Sequence, residues 1–281
     1  YVENFNDFIS KVDAVSLVTI TSTHFEIAKI LMEAGKNVLV EKPITLVPSE
    51  AEELLLLSER SVDPNSPESR KLKLMVGHVL LFHPAVLRMK DGIDKNEIGT
   101  LQYIYSNRLN LGAIRSEENA LWSFAPHDIS VIQYLVGDNP TEIKANGGAF
   151  VQQGIEDSTL TFLTYPNNVK AHIFVSWLHP FKEQRMVVIG NKGMYVFEDS
   201  LKIEKLKFYK KGFKHNNGVI EKFESNYEVI EIKNKMPLTE EQIHFYESII
   251  NDTKPRTDGK HALEVLKILN KATKQLKEIV E

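Results

Sequence analysis

The spacing of hydrophobic residues differs between the first and the second part of the chain. Up to about residue 100, short apolar runs alternate with segments of helical periodicity. The apolar runs have the β-branched or continuously apolar character of buried strands, and they cover residues 14–20, 37–40 and 72–77. The predicted helices cover residues 25–34, 48–61 and 84–95. Strands that alternate with helices predict a parallel sheet with crossover helices.

From residue 101, hydrophobic residues recur at every second position. Alternating β-branched and aromatic residues predict strands at 101–108, 142–150, 159–165, 169–177, 184–189 and 194–197. Residues 167–168 and 190–193 are typical hairpin connections, 63–67 form a turn-rich stretch, and helices at 237–251 and 259–281 close the chain. The prediction is an α/β protein. A partial Rossmann-type parallel sheet over residues 1–100 precedes an α+β domain over 101–281 with a large, mostly antiparallel open sheet.

Composition narrows the possible functions. The 281 residues carry a net charge of −4, which provides no basic field for nucleic acid or an anionic membrane. Cysteine is absent, which excludes disulfides and thiolate chemistry. No apolar run approaches the ~20 residues of a membrane span, and no signal peptide is visible, so we expect a cytoplasmic protein. The histidines lack metal-ligand spacing, so we expect no metal site.

The glycine-rich turn that is typical of a dinucleotide-binding fold is missing from this sequence. The first glycine is Gly35, and no Gly-x-Gly-x-x-Gly occurs. In a dinucleotide-binding fold this turn belongs to the first βα unit, which spans roughly 30 residues or more. We therefore expect that the chain lacks the N-terminal part of such a fold, or has lost it, and that a version extended upstream would bind NAD(H) better.

Lys42 is the first candidate for chemistry. It lies in Glu41-Lys42-Pro43, directly after a short apolar strand, and ligands of open α/β sheets bind at the carboxyl edge of the strands. A cation there could contact a nicotinamide ribose or stabilise developing alkoxide charge. A solvated lysine at a strand end is the alternative. The polar turn Thr21-Ser22-Thr23-His24 leaves the preceding strand, where Ser22 or Thr23 could also simply cap a helix.

His127 is the second candidate. Pro126 suits the first turn of a helix that runs to Tyr134 and ends at Gly137. A histidine at that amino end would be kept neutral and could accept a proton as a general base. The alternative is that His127 packs or caps the helix while Asp128 complements its dipole.

A third group follows a predicted strand. Arg108, Asn110 and Arg115 flank Gly112, and guanidinium groups suit phosphate or carboxylate. Ordinary surface ion pairs would also explain both arginines.

Together these residues resemble the Gfo/Idh/MocA family of NAD(P)-dependent sugar oxidoreductases. Thr19 and His24 match the family's first turn, Glu41-Lys42-Pro43 its Glu-Lys-Pro motif, and His127 its histidine at a helix start. The resemblance implies NAD or NADP as cofactor and implies that Lys42 and His127 carry or assist proton transfer. It implies these cofactor-binding residues: Thr21, Ser22, His24, Glu41 and Lys42.

Residues 108–115 and 122–130 look like the branch of nucleotide-sugar 3-dehydrogenases. That resemblance implies oxidation at C3 of a UDP-linked N-acetylhexosamine or uronate. The implied substrate-binding residues are Arg108, Asn110, Arg115, Trp122 and Asp128. The rival hypothesis is a catalytically inactive sugar-binding or assembly subunit that kept the fold. Because the apolar strands exceed what two terminal helices could cover, we also expect a homo-oligomer, dimer or tetramer.

Overall fold

The computed structural model describes residues 4–60 and 70–278, so the turn-rich stretch predicted at 63–67 lies outside the described residues. The chain forms two compact units. The first contains the described residues up to Phe82 together with Met236–Lys267, and the second contains His83–Lys235 with the described residues from Ile268 onward. The units therefore divide differently from the domains predicted around residue 100, because a late segment of the chain returns to the first unit.

The first unit is built on a parallel sheet. Its strands are β1 (Ala14–Leu17), β2 (Asn37–Val40) and β3 (Leu74–Val76), in the order β1-β2-β3. Both pairings are parallel, with Val15 opposite Val38 and Val38 opposite Leu74. The predicted parallel sheet is confirmed. The helices are α1 (Phe5–Ser10), α2 (His24–Glu33), α3 (Pro48–Ser58), α6 (Pro237–Ile250) and the start of α7 (Gly259–Glu278).

The late segment joins this sheet at the edge of β3. The Val76 N–H donates to the Thr257 carbonyl at 2.8 Å, and Met75 forms a bridge with Asp258. On α6, the Gln242 side chain accepts a hydrogen bond from Ser16 Oγ of β1 at 3.2 Å. The sequence predicted both terminal helices but could not show that these contacts place α6 in the first unit.

The second unit is built on an eight-stranded sheet in the order β11-β10-β9-β8-β4-β7-β6-β5. In the described residues its pairs are antiparallel except β4–β7, which is parallel. Helix α5 packs on β4, β6 and β7. The elements are α4 (Pro84–Asp94), β4 (Leu101–Leu109), α5 (Ala120–Val136), β5 (Glu142–Gly148), β6 (Ser158–Thr164), β7 (Lys170–Ser176), β8 (Glu183–Gly190), β9 (Met194–Glu198), β10 (Leu206–Asn216) and β11 (Val219–Val229).

The predicted mostly antiparallel sheet is confirmed, but the sequence analysis missed its last two strands. β10 and β11 are rich in lysine and glutamate, which hides the strand pattern, and Lys207 lies 4.8 Å from the Tyr227 ring centre across the hairpin. Their connection is Asn217-Gly218, with positive φ at both residues. Asn-Gly is a strong signal for a two-residue hairpin turn, and it would have revealed the pair.

Candidate functional site

In the first unit, Lys42 lies immediately after β2, at the carboxyl edge of the sheet as predicted. The Glu41 N–H donates to the Leu17 carbonyl of β1 at 2.9 Å. The backbone N–H of Lys42 donates to Glu41 Oε2 at 3.1 Å, and the Lys42–Pro43 peptide bond is cis. We call residues 41–43 the Glu-Lys-Pro turn. Its backbone is held at the point where β1 and β2 end.

Gly77 explains why Glu41 can lie where it does. A Cβ atom at position 77 would lie 3.1 Å from Glu41 Oε2 and 3.2 Å from its carboxyl carbon. The Gly77 N–H also donates to the Val40 carbonyl at 2.8 Å, so its backbone is tied to the end of β2. The carboxyl group of Glu41 therefore lies so close to the backbone of Gly77 that a side chain at position 77 would have to displace it by a few tenths of an ångström.

His24 joins the turn after β1 to the Glu-Lys-Pro turn. Its side chain is 1% exposed, with Nδ1 2.9 Å from the Pro43 carbonyl oxygen and Nε2 3.0 Å from that of Thr19. Thr21 and Ser22 lie in the 3₁₀ turn Thr21–Thr23, where Thr21 is half-buried and Ser22 is exposed. The structure thus brings together all five residues that were predicted to bind the cofactor.

Two histidines lie close to this turn. His78 follows β3 and is 2% exposed, and its ring packs edge-on against His261 with ring centres 5.5 Å apart. Burial, His261 and the charge of Lys42, in that order, hold the pKa of His78 well below its usual range. Burial also lowers the pKa of His261 to about 4. Both rings are neutral near pH 7 and add no positive charge beside Lys42.

Glu241 on α6 was missed by the sequence analysis. Its side chain is 1% exposed and Oε1 is buried without a hydrogen-bond partner. Burial, followed by repulsion from Glu41, raises the pKa of Glu241 to about 8. A signal was present: Glu241 precedes the buried residues Phe245 and Ser248 by four and seven positions, which places it on the buried face of the helix.

In the second unit, the prediction that a helix begins at Pro126 is wrong. Helix α5 begins at Ala120 because the side chain of Asn119 caps it, accepting the Trp122 N–H at 3.1 Å, and Pro126 lies inside the helix. His127 is half-buried and seven residues beyond the first helical residue. The effect of the helix dipole is confined to the first turn, so it gives no reason for a neutral His127. The predicted end at Gly137, with φ of 76°, is confirmed.

Asp128 forms a buried ion pair rather than complementing a helix terminus. Arg108 of β4 donates through Nε to Asp128 Oδ2 at 2.8 Å and through Nη2 to Oδ1 at 3.1 Å. Ser106 Oγ adds a third hydrogen bond to Oδ1 at 2.7 Å. Burial opposes the charge of Arg108, but Asp128 outweighs this effect and raises the pKa of Arg108.

The other predicted substrate residues lie at different places in this unit. Trp122 is half-buried on α5, and its Nε1 donates to Thr273 Oγ1 at 2.8 Å. Asn110 follows β4 and donates its backbone N–H to the Ser176 carbonyl at 3.1 Å. Arg115 is exposed and forms an ion pair with Glu118 at 2.7 Å. This is the ordinary surface ion pair that the sequence analysis gave as the alternative explanation for this arginine.

The chemistry of the first unit fits the nicotinamide end of a dinucleotide. The hydroxyl groups of Thr21 and Ser22 and the ammonium group of Lys42 follow β1 and β2, and such groups suit a ribose and a carboxamide. Beside them, the apolar side chains of Val18 and Ile20 are 72% and 71% exposed. Within residues 4–60 and 70–278, no group of three or more potential ligands could hold a metal ion, and no helix there has the length and apolarity to cross a membrane.

Two family models match the chain. The model of the oxidoreductase family with an NAD-binding Rossmann fold matches residues 1–63, and that of the GFO/IDH/MocA C-terminal domain matches residues 86–196. Both matches confirm the predicted family, and the first agrees with the predicted nicotinamide dinucleotide cofactor.

Curated relatives are similar over part of their length. UDP-N-acetylglucosamine 3-dehydrogenase from Acidithiobacillus ferrooxidans is 31% identical over 60% of this chain and 50% of its own. The scyllo-inositol 2-dehydrogenase (NAD(+)) of Bacillus subtilis is 29% identical over 65% of this chain and 54% of its own. The chain thus spans about half the length of these relatives. A solved structure of the Acidithiobacillus enzyme superposes with a TM-score of 0.82 at 23% identity, covering 100% of this chain and 84% of that chain, which confirms the predicted fold.

Proposed function

Because the chain belongs to the Gfo/Idh/MocA family of oxidoreductases, we propose that the protein transfers hydride between a nicotinamide cofactor and a hydroxyl group of a sugar. The observation that carries the proposal is the position of Lys42 directly after β2, where the Glu-Lys-Pro turn, His24 and Gly77 hold its backbone. A cation at this edge of an α/β sheet suits a ligand bound there.

NAD or NADP, when bound, supplies the hydride acceptor. Thr21, Ser22 and Lys42 would hold the nicotinamide end, with His24 and Glu41 fixing the two turns that carry them. The Gly-x-Gly-x-x-Gly turn that binds pyrophosphate in such folds does not occur in this sequence. The proposal about the cofactor therefore rests on the nicotinamide end.

Two side chains of this chain would handle the substrate proton. A secondary alcohol that loses hydride must also lose its hydroxyl proton, and histidine, with an ordinary pKa near 6.5, suits its removal. We assign that role to His127, and we assign to Lys42 the stabilisation of the developing alkoxide.

For the substrate, we favour C3 of a UDP-linked sugar. The support is the similarity to an enzyme named for that reaction, whereas another relative is named for inositol. Trp122, Asn110 and Arg115 would contact the substrate. Arg108 and Asp128, whose side chains are hydrogen-bonded to each other, would support the substrate-binding residues.

Reduction of NAD and of NADP should be measured by absorbance with UDP-N-acetylglucosamine, its uronate and inositol. Substrate deuterated at C3 should react more slowly than substrate deuterated elsewhere. Lys42→Met should abolish turnover, whereas the control Lys11→Met, at an exposed position, should not. Sugar binding without any reduction of either cofactor would instead support the inactive binding subunit.

We further propose that the protein is a homo-oligomer and that the sheet face opposite α5 forms the contact. That face carries a cluster of aromatic rings. Tyr105 stacks on His172 with ring centres 5.3 Å apart, and Phe162, 48% exposed, lies 5.8 Å from the same ring. Exposed apolar faces of this kind are typical of interfaces between subunits.

A further inference from the structure

We propose that the ring of Phe150 stacks on the base of a nucleotide-linked substrate and so determines the specificity for the nucleotide. This proposal deepens the proposed function and rests on it for the identity of the substrate as a UDP-linked sugar. Phe150 belongs to the second unit, lies on the loop between β5 and β6, and is 75% exposed.

A buried carboxylate fixes the loop that carries Phe150. Asp157 is completely buried, and its Oδ2 accepts the backbone N–H of Phe150 at 2.5 Å and that of Val151 at 2.8 Å. The Asp157 N–H donates to the Gly148 carbonyl, and its carbonyl accepts the Trp177 N–H, both at 2.9 Å. Burial of a carboxylate is costly unless hydrogen bonds compensate it, and here those bonds hold the loop. A binding surface that is already fixed loses little entropy when the ligand arrives.

Gly148 supports the ring of Phe150. A Cβ atom at position 148 would lie 2.4 Å from Cζ and 2.6 Å from Cε2 of the ring, so the ring uses space that a side chain there would need. The ring therefore rests against the backbone at one point, while most of its surface stays open to solvent. A fixed aromatic ring with an open surface suits stacking of a base, because every base has an apolar π-face.

The Phe150 loop lies at the edge of the sheet where other predicted substrate residues follow their strands. Gly148 is opposite Ser158, Ser158 is opposite Ser176, and Ser176 is opposite Leu109. The ends of β5, β7 and β4 and the start of β6 therefore form one edge of the sheet. Asn110 follows Leu109 directly at this edge.

Hydrogen bonds join this loop to the segment of Arg115 and to the start of α5. Gln152 Nε2 donates to the Arg115 carbonyl at 3.0 Å, and the Ala120 N–H donates to the Glu156 carbonyl at 2.9 Å. His127 lies seven residues beyond Ala120, which is about 10 Å along an α-helix. In a nucleotide-linked sugar, the diphosphate separates the base from the sugar by a comparable span.

The side chains at this edge suit a nucleotide. An aromatic ring stacks on the base, and a guanidinium group suits the phosphates. Arg115 is available for this purpose, since its pair with Glu118 is an exposed one that a phosphate can replace. Inositol has neither a base nor a phosphate and would gain nothing from Phe150. The adenine of a dinucleotide cofactor is a base of the same chemistry, so it forms a separate arm of the experiment.

Isothermal titration calorimetry with UDP and with ADP tests the proposal. Phe150→Ala should weaken UDP binding by about 5–150-fold, the usual effect of removing one base–aromatic stack, and Phe150→Trp should retain it. Gly148→Ala keeps the ring but displaces it, so it should also weaken UDP binding. Phe213→Ala, at an exposed position on β10, is the control. Absence of UDP binding in the wild type, or equal affinity in Phe150→Ala, would overturn the proposal. A loss of ADP binding in place of UDP binding would assign the ring to the cofactor and also overturn it.

Turnover distinguishes substrate binding from a structural role. Phe150→Ala should raise KM for UDP-N-acetylglucosamine and leave kcat nearly unchanged, because the stack holds the substrate equally before and in the transition state. Its KM for inositol should equal that of the wild type. A lower kcat with both substrates, or a lower mass of Phe150→Ala in light scattering, would overturn the proposal in favour of a structural role or a subunit contact.

Calorimetry does not require turnover, so the two proposals can fail separately. UDP binding that depends on Phe150, without reduction of NAD or NADP, would refute the proposed function and support the stacking role. Reduction of the cofactor by a UDP-linked sugar with the same KM in Phe150→Ala would refute the stacking role and support the proposed function.

Discussion

Arg108 and Asp128 form a bidentate ion pair that joins β4 to α5, with N–O distances of 2.8 and 3.1 Å. The side chains are 12% and 3% exposed, so the pair is almost completely withdrawn from water. Asp128 follows His127 directly in the helix, and the pair therefore also fixes the stretch of α5 that presents His127. A buried pair of this kind is sensitive to loss of either partner, because the remaining charge is left without compensation.

Arg108→Met should destabilise the protein by about 3–5 kcal/mol, because Asp128 would keep a buried charge with only Ser106 to donate to it. The free energy of unfolding should be measured by urea denaturation. Arg115→Met is the matched control, since its exposed pair with Glu118 should contribute at most about 1 kcal/mol. Equal effects of the two substitutions would show that burial of the Arg108 pair has no energetic consequence.

The first unit should lose stability in acid because of His261. Its folded pKa of about 4 lies below the usual value of about 6.5, so the unfolded chain binds the proton more tightly. Stability is therefore complete above about pH 6.5 and is lost as the pH falls toward 4, and His78 acts in the same direction. In a series of urea titrations, His261→Gln should flatten this acid limb. His215→Gln, at an exposed position, should leave the limb as steep as in the wild type.

His127→Ala should lower kcat by about 10²–10⁴-fold, the usual contribution of a general base, and should leave NADH binding nearly unchanged. Steady-state rates and fluorescence titration with NADH provide the two measurements. His215→Ala controls for the loss of an imidazole. If His127→Ala turned over at the wild-type rate, Lys42 would become the leading base.

Gly77→Ala should disturb catalysis more than stability. The added methyl would lie 3.1 Å from Glu41 Oε2, and the flexible carboxylate can give way by a few tenths of an ångström. The Glu-Lys-Pro turn would then shift, and misplacement of about 1 Å can reduce a rate about 10²-fold. Gly112→Ala, whose Cβ would have no neighbour closer than 3.7 Å, is the control for kcat and melting temperature. If kcat did not change in Gly77→Ala, the position of Glu41 would have no effect on catalysis and the prediction would be wrong.

Phe162→Lys should dissociate the proposed oligomer, because it places a charge on the exposed aromatic face of β6. Light scattering at micromolar concentration gives the mass directly. Leu111→Lys, on a loop and 71% exposed, should keep the wild-type mass. A wild-type protein of monomeric mass would refute the proposed contact.

The sequence by itself determined those features of the fold that depend on residues adjacent along the chain. The short apolar run before Glu41 and the proline after Lys42 were enough to predict a buried strand that ends at a lysine, and β2 ends there. Alternation in the second half likewise predicted an antiparallel sheet, since the period of two follows from the geometry of a single strand. Where local signals competed, the prediction failed: Pro126 suggested a helix start, but Asn119 caps α5.

Tertiary structure alone decided which distant groups meet. Ser106 and Arg108 reach Asp128 only because α5 packs on β4. The charge of Glu41 acts on Glu241 only because α6, which follows the second sheet in the sequence, belongs to the first unit. The protonation of Glu241 and the charge balance of Asp128 depend on burial and on partners far along the chain. The helical spacing of α6 could have indicated that Glu241 is buried, but the partners of both groups are brought together by folding, and no pattern along the sequence reveals those partners.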